Sequence, residues 1–305
     1  MPPPQGSFNP IEGPGDYTFT KEVHNDTYAA IDPTKADHTG HSVFIVGASR
    51  GIGAAIALSF AKAGASAIAI GARSDLSSHV EEIKSAAKKA GRAEPKVLSV
   101  KLDITDISSV EEAAKTVSQA FGGKLDILIH NSGIIGAMIP ITLSDPEDWW
   151  RTYEVNVRGP YLIARSFIPL LLKSTMKTFI TVSSVGCTVT NPGVSAYQSG
   201  KTALTRVTEF GALENQEEGL VAFSVHPGNI NTGIVDLSAV PDAFKAVFTE
   251  TVELPADGLV YLTNEKRDWL SGRYVNLTWD LPELTSSPKR DEIVEKDLLK
   301  IRLVV

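Results

Sequence analysis

The chain has 305 residues, 43% of them hydrophobic, with 29 basic and 36 acidic side chains and a net charge of −7. An acidic chain without a long basic run is not expected to bind nucleic acid, because phosphate binding needs a concentrated positive field. A single cysteine, Cys187, excludes an intrachain disulfide and a zinc–thiolate cluster. The six histidines show no ligand spacing, so no metal is expected.

Residues 1–41 are rich in Pro, Gly, Asp and Thr and have no hydrophobic period, so they read as an arm, extended over the body or partly disordered. The start MPPPQGSFNP lacks the basic and apolar stretches of a secretory signal. No apolar run approaches the roughly 18 residues that span a bilayer. A cytoplasmic location without a membrane partner is expected.

From Ser42 the character changes. SVFIVGASRGIGAAIALSFAKAGASAIAIGAR reads as strand, Gly-rich turn, alanine-rich helix and strand. A polar helix follows over about 78–90, then the strand KVLSVKLDI and a helix over 107–121. LDILIHNSG is a strand ending in a turn, and 146–173 a long helical stretch. TFITVSS is a strand, 196–215 a helix and LVAFSVHPG a strand. The segment from Gly233 to about Glu253 lacks strand character, as a lid would. GRYVNL is a last strand, and DEIVEKDLLKIRLVV an amphipathic tail helix. Short apolar strands alternating with helices predict an α/β fold, a doubly wound parallel sheet with helices on both faces. Such a fold often runs to about 250 residues as one domain. The expected division is an arm over 1–41, one domain over 42–280 and a tail over 281–305.

Two patterns carry chemistry. Gly47, Ser49, Arg50, Gly51, Ile52 and Gly53 form a turn between the first strand and first helix. Unpaired helix N–H groups and close glycine backbone suit a dinucleotide phosphate there; a tight turn with no ligand is the alternative. Tyr197 and Lys201 stand four apart and share a helix face, while Ser184 ends the strand TFITVSS at the sheet edge where ligands bind. A neighbouring ammonium lowers a tyrosine's pKa from about 10 toward working pH, and Ser184 would then hold a substrate oxygen. A lone Y-x-x-x-K pair is otherwise an ordinary helix surface.

The chain resembles the short-chain dehydrogenase/reductase family from about Ser42 to Asn276. The resemblance rests on GASRGIG at 47–53, Asp103, NSG at 131–133 and VNVRG with Asn156. Ser183-Ser184, YQSGK with Tyr197 and Lys201, and PGNINT at 227–232 complete it, in the family's order and spacing. It implies a Rossmann fold and interconversion of a carbonyl and an alcohol. Ser184, thirteen residues before the tyrosine, matches the catalytic serine; Tyr197 would be the general acid, and Lys201 would hold the nicotinamide ribose and depress the tyrosine's pKa. Asn156 would bind a water linking Lys201 to solvent. Asp103 would contact adenine and Asn131 would steady the adenosine side, with Ile104, Ser132 and Gly133 also binding the cofactor. Ile230 and Thr232 would receive the carboxamide, with Pro227 and Gly228 also binding the cofactor. A homodimer or homotetramer, packed through the helices at about 150–173 and 196–215, is implied as well. Departures are Val46 where Thr is frequent, NSG for NAG and YQSGK for YxASK; none removes a catalytic atom.

The end of the second strand separates the two nicotinamide cofactors. Ala72 stands where NAD users of this family carry an acid, and Arg73 and Ser74 follow. Arg50 and Arg73 would converge on a 2′-phosphate, which favours NADP. The alternative is Arg73 stacked on adenine with Asp75 as the missing acid. The leading reading is an NADPH-dependent carbonyl reductase acting on a small ketone or aldehyde. Ile234, Val235, Leu237, Val240, Phe244, Val247 and Phe248 in the lid suggest a fairly apolar substrate. The rivals are an NAD-dependent alcohol dehydrogenase, an NADP-binding regulator without turnover, and an isomerase or dehydratase on the same scaffold. Trp149-Trp150 read as packing anchors, Cys187 as inert, and His130 and His226 as plugs in the sheet.

Overall fold

β1 (Ser42–Val46) is apolar beyond its first residue and buried throughout, as a strand covered on both faces must be. It is followed in the chain by β2 (Ala67–Ala72), β3 (Lys96–Lys101), β4 (Ile127–His130), β5 (Thr178–Val182), β6 (Val221–His226) and β7 (Tyr274–Asn276). The protein, seen here in a computed structural model, is described at residue 9 and over residues 11–234 and 242–303, the side chains at 243 and 244 excepted. Its strands form one sheet in the order β3-β2-β1-β4-β5-β6-β7, every pair parallel. This is the doubly wound Rossmann arrangement that the strand–helix rhythm predicts. The order reverses direction between β1 and β4, which opens a crevice above their C-terminal ends.

The helices are α1 (Gly51–Lys62), α2 (Ser77–Lys89), α3 (Ile107–Ala120), α4 (Pro146–Tyr153), α5 (Gly159–Leu171), α6 (Ser195–Glu214), α7 (Asp242–Lys245), α8 (Glu253–Thr263), α9 (Leu281–Thr285) and α10 (Ser287–Glu295). The two-residue alternation of β1 divides the core. Val43 and Ile45 face the cluster built with α1, α2 and α8, while Phe44 and Val46 face the one built with α3 and α5. Between α4 and α5 the backbone widens into a π turn over Glu154–Arg158, so the stretch at 146–173 is three pieces rather than one helix.

The described parts of the arm and of the tail are built into this body. Val23 pairs antiparallel with Trp279, and the Phe19 and Trp279 rings lie 4.5 Å apart. The Asp257 carboxylate accepts from Thr27 Oγ1 and from Ser59 Oγ, both at 2.6 Å, tying the arm to α8 and α1. The tail differs from expectation. Its helix ends at Glu295, after which Asp297 and Leu299 take positive φ and turn the chain back. The Tyr274 N–H then donates to Leu299 O at 2.8 Å, so Leu299 meets the start of β7 instead of continuing a helix. The loop after β6 is tied down where Ile230 bridges Glu250. Val235, Leu237 and Val240, and the side chain of Phe244, lie outside the described residues.

Candidate active site

A cavity of about 640 Å³ opens above the C-terminal ends of β1, β4, β5 and β6. At one end lies the glycine turn. Gly47 has a φ of +86°, and a Cβ on Gly53 would stand 2.1 Å from Gly47 O, so neither place tolerates a side chain. The Asn131 amide donates to Gly47 O at 2.9 Å and locks the turn against β4, while Ser132 packs against Gly47. No side chain caps the first turn of α1, which leaves its N–H groups and positive dipole for an anion.

Beyond the turn, Ser49, Arg50, Ile52, Arg73, Asp103 and Ile104 line the cavity. Arg50 and Arg73 are exposed and form no ion pair among the described residues. Asp103 accepts from the Thr105 N–H and hydroxyl. Those bonds, and then the nearby Arg73 charge, hold its carboxyl below the usual range. Asp75 is spent otherwise: it accepts from Ser77 Oγ at 2.7 Å and its N–H at 3.3 Å, at the start of α2. Ser74 is exposed and outside the cavity wall, and Gly51 and Gly53 shape the turn from behind it.

The other end gathers Ser184, Tyr197 and Lys201. Ser184 follows β5, its Oγ accepting from the Gly186 N–H at 3.0 Å. A Cβ on Gly186 would meet Ser184 Oγ and Tyr197 Cε1 both at 3.3 Å, so the two side chains lie against one glycine. Lys201 Nζ is 5.8 Å from the Tyr197 ring centroid and donates to Val182 O at 2.8 Å. Burial lowers the Lys201 pKa to about 8. The same burial raises that of Tyr197, Ser184 offsetting only part of the rise. Lys201 is turned to Val182 O here, and desolvation of the phenolate is the largest influence on Tyr197.

Asn156 sits in the π turn, wholly buried and behind the cavity wall. Its Oδ1 accepts from the Ile134 N–H at 2.9 Å and its Nδ2 donates to Ile134 O at 2.7 Å. A Cβ on Gly133 would come within 3.1 Å of Asn156 Oδ1 and 3.4 Å of Lys201 Nζ, so the glycine lets the two approach. Pro227, Gly228, Ile230 and Thr232 form the wall below β6. Of the apolar lid set, Ile234 and Phe248 reach the cavity, whereas Val247 is buried outside it.

Some neighbours were not legible as site residues. Ile11, from the arm, lines the cavity. Glu250, buried, accepts from the Asn229 N–H at 2.9 Å, and burial raises its pKa to about 7. Among the described residues neither buried ring nitrogen of His130 has a hydrogen-bond partner, whereas His226 Nδ1 accepts from the Val185 N–H at 3.1 Å. Trp149 is an anchor, donating to Ser195 Oγ at 3.0 Å. Trp150, 62% exposed, is not. Glu22, His24 and Asp280 bring ligand atoms within 4.8 Å, but His24 already bonds Asp280 at 3.0 Å, where it fastens the arm.

Residues 41–239 match the model of the short chain dehydrogenase family. The chain belongs to the short-chain dehydrogenase family. It is 50% identical over 308 residues to the short chain dehydrogenase pigC of Monascus ruber, with 100% of both chains covered. It is 49% identical over 292 residues to the short chain dehydrogenase tazN of Aspergillus terreus, covering 94% of this chain and 62% of that one. A short-chain type dehydrogenase/reductase from Mycobacterium ulcerans shares the fold, with a TM-score of 0.71 at 22% identity over 84% of this chain and 98% of that one. As a short-chain dehydrogenase the protein is an oxidoreductase acting on small molecules with a nicotinamide dinucleotide. Among the described residues no helix is long and apolar enough to cross a membrane.

Proposed function

We propose that the protein is an NADPH-dependent carbonyl reductase for a small, fairly apolar ketone or aldehyde. The observation that carries this reading is the meeting of Ser184, Tyr197 and Lys201 at one end of a cavity whose other end holds a glycine turn and two exposed arginines that form no ion pair among the described residues. The residues fit a dinucleotide: the uncapped α1 start suits the diphosphate, and Arg50 and Arg73 suit a 2′-phosphate. With Ala72 in place of an acid and Asp75 engaged by Ser77, neither position offers a carboxylate free to take the ribose hydroxyls that NAD would present.

When bound, the nicotinamide supplies the hydride. The Ser184 hydroxyl holds the substrate oxygen in reach of Tyr197. A Tyr197 pKa raised by burial keeps its hydroxyl protonated near neutral pH, the form a reduction consumes. Lys201 gives the phenolate left behind a positive neighbour. Asn156, pinned at both amide atoms, fixes the Ile134 backbone next to Gly133, the residue against Lys201, and so holds the route by which a proton returns.

The outer faces of α5 and α6 leave Tyr161, Phe210 and Leu213 more than half exposed, which supports a second copy packed there in a homodimer or homotetramer. The cytoplasm is the proposed compartment.

Binding of NADPH and NADH to the purified protein, with turnover of ketones read as loss of absorbance, tests the function. Tighter NADPH binding that weakens at least tenfold in Arg50→Ala/Arg73→Ala is expected. A preference for NADH would replace this reading with an NAD-dependent alcohol dehydrogenase. Product formed with no change in cofactor redox state would point to an isomerase or dehydratase.

A further inference from the structure

The arm lies outside the stretch that matches the family, yet it reaches the cavity. Ile11 lines it, and Gly13, two residues on, is buried against the loop that follows Ser184. A Cβ on Gly13 would stand 2.5 Å from Val185 Cγ2 and 3.1 Å from Thr188 Oγ1, so only glycine permits this approach. The position is fixed from below. The Asp16 carboxylate accepts from the Gly13 N–H at 2.6 Å and from Asn276 Nδ2 at 3.0 Å, and Trp279 Nε1 donates to Gly15 O at 3.1 Å. The Asn9 side chain accepts from the Ile11 N–H at 3.1 Å and holds the backbone before the contact. This segment of the arm is thus braced at several points, with Gly13 against Val185, next to Ser184, and Ile11, two residues before it, on the cavity wall.

We propose that Ile11, held by the Gly13–Asp16 turn, is a specificity-determining wall of the substrate end and selects carbonyl substrates by the bulk of their apolar substituent. This deepens the reductase reading and rests on it. A wall residue acts on the substrate body and not on the nicotinamide, so its effect separates by substrate size. Ile11→Trp fills space and Ile11→Ala opens it, and neither side chain bonds to the brace.

The test uses the full chain and a series of ketones that share one reacting carbonyl and grow from a methyl to a fused-ring substituent. Ile11→Trp is expected to lower kcat/KM at least tenfold for the bulkiest ketone, through KM, and less than twofold for the smallest. Ile11→Ala should shift the ranking toward bulk, and NADPH affinity should stay within twofold in both. An unchanged ranking in both variants, with unchanged melting temperatures, overturns the wall. If the wild-type chain turns over no ketone, the reductase reading fails by itself. Titration of an uncharged naphthalene fluorophore into the NADP-saturated protein then decides the wall: weaker binding in Ile11→Trp supports it, and equal binding in all three proteins overturns it.

Discussion

In the proposed reduction Tyr197 carries the proton step, and its surroundings make its loss measurable. Replacing the hydroxyl by hydrogen in Tyr197→Phe keeps the ring against Gly186 while removing the acid. A positioned general acid contributes about 10²- to 10⁴-fold, so kcat should fall by that factor with NADPH affinity nearly unchanged. Retained activity would mean that another group supplies the proton. In the same proposal Lys201 sets the alkaline limit. Its pKa lies at about 8, so it is charged at neutral pH and loses that charge as pH rises through 8. The reductive kcat/KM, which reports groups of the free enzyme, should therefore decline above about pH 8; a profile flat to pH 10 would remove Lys201 from the rate. At this scale the sequence is informative, because Ser184, Tyr197 and Lys201 stand at fixed spacings on one strand end and one helix face. Their protonation is not legible. It depends on desolvation and on Lys201 reaching Val182 O, neither of which is a property of spacing.

At the scale of elements, the glycine turn and α1 work as a unit. A Cβ at Gly53 would clash with Gly47 O at 2.1 Å and approach Asn131 Nδ2 at 2.8 Å. Gly53→Ala should therefore push the turn away from β4, weakening dinucleotide binding more than tenfold and costing about 1–3 kcal/mol of stability, as overpacking does. Titration with NADPH and urea unfolding would check the two effects; wild-type values in both would show that the turn yields freely. The strands and most helices were legible because their apolar runs are short and separated by Gly, Asp or Asn turns. The π turn was not, since it alters hydrogen bonding without altering the apolar period, and yet it is what carries Asn156 to Ile134. The helix α8 was also missed: ELPADGLVYLT holds a proline and a glycine, and its burial against α1 overrides that poor propensity. In the tail, the positive φ of Asp297 and Leu299 stops a helix that the apolar pattern alone would continue.

Across the whole molecule, several titratable groups are buried in the folded chain, and they act on stability in opposite senses. Burial lowers the pKa of His38 to about 4 and those of His130 and His226 to about 3, from an ordinary 6.5. It raises Asp16 to about 6 from 3.8 and Glu250 to about 7 from 4.5. Linkage fixes the signs. Between pH 6.5 and about 4 the unfolded chain binds a proton at position 38 that the folded chain refuses, so acid destabilises through this group. For Glu250 the folded chain binds the extra proton: its stabilisation is complete below about pH 4.5 and is lost as pH rises through 7. His38→Gln can keep the donor that meets Val260 O at 3.3 Å while removing the titration, so its melting temperature should fall less steeply than wild type from pH 6.5 to 4.5. Glu250→Gln keeps an acceptor for the Asn229 N–H, and should gain stability relative to wild type as pH rises from 4.5 to 7. The two variants bend the curve in opposite directions, so melting both across pH 4.5–7.5 separates the contributions. Parallel curves for all three proteins would mean that neither group changes its proton affinity on folding. Nothing in the sequence near His38 or Glu250 announces this behaviour. It arises because the arm brings His38 under α8, and the loop after β6 brings Glu250 under Gly228, contacts that only the folded chain assembles.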